Sequence, residues 1–357
     1  LIKKSKYITP QFLEKFINSL YQHGEYIMNN DSGFSKTSNW GVLENHGLFN
    51  VSIFLKEFKS APSWIQAATE RLELRSKLQV LEDGTHWEHS SMYHNEVFHC
   101  LMNVNLLAKR NNIPLPKVIS EKTKAMAYAN VGWQKPNYHQ PLLGDSDDTD
   151  LRELLTIAAC FFDDSVLKSR AFQKLDCDNY IVFGSEQNNN YIQKPSINPD
   201  FLTVYQQSSG DFFMRTSWNE DAVYSSFHLK KQAGGHAHDD ILSLTIFANN
   251  TDYLVDNGRF TYVDKAERNL FKDSFSHNGL AVDNLPNSIY KGSWDSKYLA
   301  WSNAPFTKST TLFDYAEAEM TGYQRLADPV ITKRRVLYLK PNIWLLFDSF
   351  SAKEEHK

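Results

Sequence analysis

The sequence predicts a helical first half followed by an antiparallel β half. Three observations carry this: apolar residues recur at helical spacing up to about residue 183, the period disappears over residues 184–203, and short apolar runs separated by polar turns follow to the C-terminus. At 357 residues the chain exceeds the usual size of one domain. Each half is therefore expected to bury its own core, residues 1–185 as a helical domain and 186–357 as a β-sandwich domain.

Phe12, Leu13, Phe16, Ile17, Leu20 and Tyr21 place one apolar stripe on a helix that begins just after Pro10, a residue suited to a first turn. PSWIQAATERLELRSKLQVLEDG opens the same way on Pro62 and is expected to stop at Asp83-Gly84. MYHNEVFHCLMNVNLLAKRNN and DLRELLTIAACFF continue the series, the second with Asp150 three residues ahead of Glu153 as in a capping box. Helices of this kind must stack on one another to cover their stripes. Residues 184–203, GSEQNNNYIQKPSINPDFLT, gather Asn, Ser and Pro and read as a linker. After it, FFMRTSW, AVYSSFHL, ILSLTIFA and DYLVDNG read as strands, separated by turns such as Asn219-Glu220-Asp221 and Asn249-Asn250-Thr251; RRVLYLK and IWLLFDSF extend the pattern to the end.

Composition narrows the function classes. The net charge of -4 and a pI near 6.3 give no global basic field, so no nucleic-acid partner is expected. The basic groups Lys230-Lys231 and Lys333-Arg334-Arg335 have no position that sequence alone can assign. Eight Trp, 17 Tyr and 23 Phe suit sugar-binding clefts and plain cores alike. Cys100, Cys160 and Cys177 are odd in number and lack C-x-x-C spacing, so they read as buried structural thiols rather than a disulfide framework or a thiolate zinc site. No run of 18 apolar residues exists, so no membrane span is expected. The chain opens on Leu rather than Met, without a signal-peptide pattern, and reads as a fragment whose localisation stays open.

The chemistry concentrates in a few blocks. In GGHAHDDILSLTIF, His236 and His238 stand at i and i+2, so on an extended segment both rings point to one face. Asp256 follows in LVDNGRF and His277 in FSHNGLAVD, each at a strand end or entry. Two imidazoles and a carboxylate that converge make a plausible zinc site, with hydrogen-bonded structural histidines as the alternative. In the helical half, NWGVLENHGLFN places Asn45 beside His46, and DGTHWEHSSMYHNEV places Glu88 and Tyr93 at a loop-to-helix entry. An amide, an imidazole and a phenol do not make the carboxylate pair of a glycosidase. They suit abstraction of a proton next to a carboxylate, where donors stabilise the developing charge and a tyrosine moves the proton. The alternative for Tyr93 is a helix-start aromatic that packs inward.

HAHDD leading into a strand, LVDNG after it, Arg268 followed by FSHNG, and ENHG and EHSSMYH upstream resemble the heparinase II/III family of bacterial polysaccharide lyases, in order and rough spacing from about residue 38 to 285. GDSDDTDLRELL is similar to a segment common in bacterial members. The resemblance implies an incomplete (α/α) toroid followed by an antiparallel β-sandwich, here truncated at both ends. It implies an acidic polysaccharide substrate and β-elimination at a uronic acid to leave a 4,5-unsaturated end. It also implies that Asn45 and His46 neutralise the uronate carboxylate, that Tyr93 is the catalytic acid and for one sugar configuration the base, and that His236 is the partner base. His236 and Tyr93 would come from different domains, so that cleft closure affects turnover. His238, Asp256 and His277 would hold a structural zinc, while Glu88, Tyr262, Arg268 and Trp40 would contact substrate. Ala237 stands where the family usually has glycine.

Three other readings stay open at this stage. In an (α/α)-toroid hydrolase Asp145, Asp147 and Asp148 would be the acid and base, although that acidic run reads more simply as a solvated loop. A cupin-like metal module and a non-catalytic sugar-binding protein are the others. Heparin or heparan sulfate, other glycosaminoglycans and alginate are all admissible polymers. Endo or exo action and oligomeric state are not specified.

Overall fold

The computed structural model describes residues 7–230, 234–263 and 265–357, so Lys231 lies outside the described residues. The chain divides into two compact units, Leu1–Val80 with Glu96–Thr123, and Leu81–Asn95 with Lys124–Lys357.

The first unit is helical: α1 (Pro10–Asn29), α2 (Gly33–Thr37), α3 (Asn39–Phe54) and α4 (Ala61–Gln79), with portions of α5 (Ser91–Asn111) and α6 (Lys117–Trp133). Thr9 caps α1, its Oγ1 accepting from Phe12 N at 3.2 Å, and Pro10 takes the first turn as expected. Tyr21 packs on Phe58 and Trp64, and Gly24 lets the Trp64 indole lie against the α1 backbone, where a Cβ would stand 2.6 Å from the ring. Arg75 is buried and ties α4 to α2 and the turn before it by donating to Ser35 O and to the Asp31 carboxylate. α4 ends at Gln79, short of Asp83-Gly84; those two residues form their own turn, Gly84 adopting φ +84°.

The second unit adds α7 (Arg152–Phe162), α8 (Ser165–Ser169) and α9 (Cys177–Gln193) before its strands. The capping box at α7 does not form: Arg152 chelates the Asp150 carboxylate, whose Oδ1 also accepts Arg152 N at 2.9 Å. Cys100 and Cys160 are buried as expected, but Cys177 is exposed. The stretch read as linker is helical to Gln193, broken at Gly184 with φ +83°. Only residues 195–198 are left as an exposed, irregular run. Limited proteolysis is expected to cut there first, as mass spectrometry of the fragments would show; first cuts within α9 would refute it.

Strands β1 (Thr203–Gln206), β2 (Asp211–Arg215), β3 (Tyr224–His228), β4 (Leu244–Ala248) and β5 (Thr251–Leu254) form an antiparallel meander. Asn249 and Asn250 both take positive φ in the β4–β5 turn, the conformation a two-residue hairpin demands. After α10 (Ala266–Lys272) comes a small hairpin of β6 (Ile289–Lys291) and β7 (Asp295–Tyr298). A second antiparallel sheet follows, of β8 (Ser302–Ser309), β9 (Phe313–Met320), β10 (Ile331–Leu339) and β11 (Ile343–Ser351). Alternate residues of β9 and β10 point inward, and Ala316, Ala318, Met320, Val336 and Tyr338 share one core with Phe212, Met214, Phe227 and Leu244 of the first sheet. The first sheet is covered on its other side too, for β2 and β3 are buried throughout and Tyr224 donates its hydroxyl to Trp133 O. Among the described residues no helix is long and apolar enough to cross a membrane.

Candidate active site

The loop between α6 and α7 organises the site. Gly144 takes φ +58° and packs directly beneath the histidine pair: a Cβ there would stand 2.5 Å from His236 O and 2.8 Å from His89 O. Asp145 N then donates to His236 O at 2.9 Å. Ser146 Oγ accepts from Met92 N and pairs with Ser90 and Ser91, so the same loop caps the start of α5, which carries Tyr93.

The acidic run is therefore not a solvated loop as a whole. Asp147 and Asp148 are exposed and pair with Arg259 and His139, but Asp145 is fully buried. His236 Nδ1 lies 2.9 Å from its Oδ2 and His238 Nε2 lies 2.9 Å from its Oδ1. Both terminal nitrogens of Arg268 donate to the same carboxylate. Burial raises the Asp145 carboxyl, but hydrogen bonds from the two histidines and Arg268 outweigh it and hold the group well below the usual carboxylate range. A carboxylate so committed is no glycosidase acid, which removes Asp145 from the three carboxylates of the hydrolase reading.

His236 and His238 precede β4 in irregular backbone rather than an extended segment, yet both rings reach Asp145. The Tyr93 ring stacks on His236 with centroids 3.5 Å apart at 15°. Residues 81–95, which carry Tyr93, fall in the same compact unit as His236, held by Ser146 and by Asp83, which accepts Ser208 N and Ser209 N. Burial pushes the Tyr93 phenol up, with Asp145 and Glu88 adding to the rise. Glu88 is buried, its Oε2 3.9 Å from His236 Nε2.

Tyr262 is half-buried and stacked on Trp294 at 5.4 Å, its hydroxyl facing Tyr93 without an aligned hydrogen bond. Arg268, expected to touch substrate, is completely buried; the Asp145 charge holds it inside. In the first unit, Trp40 is exposed with its edge on Phe34. Asn45 is buried, its Nδ2 donating to Gly41 O, while its Oδ1 has no partner. His46 Nε2 lies 2.8 Å from Asn103 Oδ1, and burial lowers its pKa.

His238, Asp256 and His277 converge, offering one ligand atom each within 4.8 Å of one another. His238 Nδ1 and His277 Nε2 are buried without a hydrogen-bond partner, as nitrogens that would ligate a metal are. His277 Nδ1 meets Asp256 Oδ2 at 2.7 Å; burial lowers its pKa, but the Asp256 charge prevails and raises it to about 9. The set fits zinc.

Two residues escaped the sequence reading. Asp145 stands in an acidic run from which residue type alone does not separate it. Trp294, half-exposed in the β6–β7 turn, lies edge-on to His236 at 5.1 Å, and no motif marks it in the sequence.

Residues 1–169 match the family model described as the heparinase II/III N-terminus, and residues 222–357 the one described as heparinase II/III-like, C-terminal. The chain belongs to the heparinase II/III family. This family member is 25% identical over 290 residues to a heparin-sulfate lyase of Pedobacter heparinus, covering 80% of this chain and 41% of that protein. It is 22% identical over 305 residues to a heparin-sulfate lyase of Bacteroides thetaiotaomicron, covering 78% and 41%. Among solved structures, a heparan sulfate lyase mutant from Pedobacter heparinus superposes with TM-score 0.73 at 23% identity, over 98% of this chain and 51% of that one. A heparinase III does so with TM-score 0.79 at 17% identity, over 99% and 52%. The likeness establishes the fold, an incomplete (α/α) toroid followed by an antiparallel β-sandwich, which a cupin-like module lacks. The heparinase II/III-family chain spans about two fifths of the length of the curated relatives it matches.

Proposed function

We propose that this chain carries the proton-transfer site of a polysaccharide lyase that cleaves a glycosaminoglycan of the heparin or heparan sulfate type by β-elimination. The observation that carries this reading is the Tyr93 ring stacked on His236, which places a phenol and an imidazole face to face with a buried carboxylate behind the imidazole. The heparin-sulfate lyases among the relatives support the polymer class.

The reaction removes the C5 proton of a uronic acid. The electron pair of the C5–H bond becomes the C4–C5 double bond, the C4–O4 bond breaks, and O4 receives a proton. His236 has its Nδ1 turned to Asp145, which leaves Nε2 for the C5 proton. Tyr93, with a raised pKa, is protonated at neutral pH and suits the donor to O4. Trp294 offers an exposed aromatic face beside His236 on which a sugar ring can stack. Asn45 and His46 keep the role of neutralising a carboxylate as an expectation, and so does the domain boundary near residue 185.

His238, Asp256 and His277 would hold a structural zinc through the two partnerless nitrogens and a carboxylate oxygen. Bound there, it supplies a fixed charge that ties together the loops beside His236. The purified chain should then carry near-stoichiometric zinc by elemental analysis.

The reading is tested by incubating the chain with heparin, heparan sulfate, hyaluronan, chondroitin sulfate and alginate and following new ultraviolet-absorbing unsaturated ends. Ends from heparan sulfate or heparin are expected. Reducing ends without the double bond, or no cleavage of any polymer, would overturn it.

A further inference from the structure

We propose that Asp145 is a positioning residue that fixes the ring tautomers of His236 and His238 at the same time, so that one carboxylate aims the proton-transfer nitrogen of one histidine and the metal-facing nitrogen of the other. The activity arm of this inference rests on the lyase reading; the tautomers do not.

The argument starts from what the carboxylate can accept. Arg268 is an obligate cation, buried completely, and both its terminal nitrogens lie on Asp145, so the partner is ionised and has only acceptor sites to offer. His236 Nδ1 at 2.9 Å from Oδ2 must therefore carry its proton, and so must His238 Nε2 at 2.9 Å from Oδ1. In its neutral form each ring is then left with one lone pair. For His236 it is on Nε2, the nitrogen on the Glu88 side, 3.9 Å from Oε2. For His238 it is on Nδ1, which is buried without a partner and belongs to the group with Asp256 and His277.

The two rings thus present opposite nitrogens, although they stand two residues apart on one backbone. Neutral imidazole in water has no such constraint, and a carboxylate behind a metal-ligating histidine sharpens its aim in the way second-shell partners do. Because Asp145 is fully enclosed, no water can take over either contact. Its backbone is fixed as well, by the bond from Asp145 N to His236 O.

Asparagine is the informative replacement. It keeps the shape but presents one oxygen and one NH2, so one of the two histidines must reverse its tautomer or lose the contact.

The experiment uses the whole chain labelled with 15N-histidine, with His236→Gln and His238→Gln to assign the rings in long-range proton–nitrogen correlation spectra. Metal-free wild-type protein should show His236 protonated on Nδ1 and His238 on Nε2. Adding Zn2+ alone should move the His238 Nδ1 resonance and leave the His236 pattern unchanged. Asp145→Asn should bind Zn2+ about 10- to 100-fold more weakly in competition with a chromophoric chelator, and turn over a cleavable polymer about 10²- to 10⁴-fold more slowly. Either wild-type tautomer found reversed overturns the proposal, as does folded Asp145→Asn with unchanged tautomers and Zn2+ affinity within about threefold of wild type, well short of a second-shell effect. Should that variant fail to fold, the wild-type tautomers still decide. If the wild-type chain cleaves no uronate polymer, the lyase reading falls while the tautomer and Zn2+ measurements continue to test Asp145.

Discussion

Tyr93→Phe lowers turnover on any polymer the wild-type chain cleaves by about 10²- to 10⁴-fold, the range of a lost general acid or base. The substitution keeps the ring that stacks on His236 and removes only the hydroxyl, so packing and substrate binding should survive. The upper end of the range applies if the phenol serves in both proton transfers. Initial rates of unsaturated-end formation by folded protein measure the effect. A rate within about threefold of wild type, far short of a general acid-base loss, takes Tyr93 out of the chemistry and leaves its raised pKa as a simple consequence of burial.

The largest effect on stability is expected at a pair close to the site but outside the chemistry. Lys230 Nζ lies 2.6 Å from Asp240 Oδ2 with both side chains buried. Lys230→Met leaves the Asp240 carboxylate enclosed without its cation, a change that costs about 3–5 kcal/mol in buried pairs. Burial raises the Asp240 carboxyl, yet the neighbouring charge of Lys230 more than offsets this and holds it well below the usual range. Its contribution is accordingly present above the unfolded carboxylate value of about 3.9 and is lost as pH falls toward the depressed folded value. In the variant the carboxyl protonates more readily within the fold, so the stability gap from wild type should narrow below about pH 4. Urea midpoints across pH test both statements. A gap under about 1 kcal/mol at neutral pH means the carboxylate has other support, since breaking a buried pair normally costs several times that.

The division into helices and strands was legible because each half repeats its own period. Pro10 marked the start of α1, and β10 alternates cleanly from Ile331 to Leu339. β9 escaped notice because its inward positions include Ala316 and Ala318, side chains too small to make an apolar period stand out. The linker reading failed between Gly184 and Gln193 for a related reason: Asn-rich composition points to a loop, but helix packing overrode it.

The histidine pair and its distant Asp256 and His277 could be picked out by residue type, since few other uses explain them together. Asp145 could not. It is surrounded in sequence by Asp147, Asp148 and Asp150, which face solvent or surface arginines, and its own partners lie 91, 93 and 123 residues away. One signal was available: a buried arginine beside two buried histidines needs a counter-charge, and Gly144 marked a backbone in close contact with something. Arg268 is hidden for the same reason, because in sequence nothing joins it to the carboxylate that holds it inside.

The bonds at Asp145 also bear on how such chains can be recombined. Asp145 lies in the segment matched by the N-terminal family model, and His236, His238 and Arg268 lie in the segment matched by the C-terminal one. The boundary between two apparently separable modules therefore passes through a shared carboxylate. A chimera that takes its first half from a relative without an acid at this position inherits a histidine pair with no acceptor and an orphaned guanidinium. An exchange of halves is expected to keep this cluster only where the incoming N-terminal half brings an acid at this position to meet the arginine.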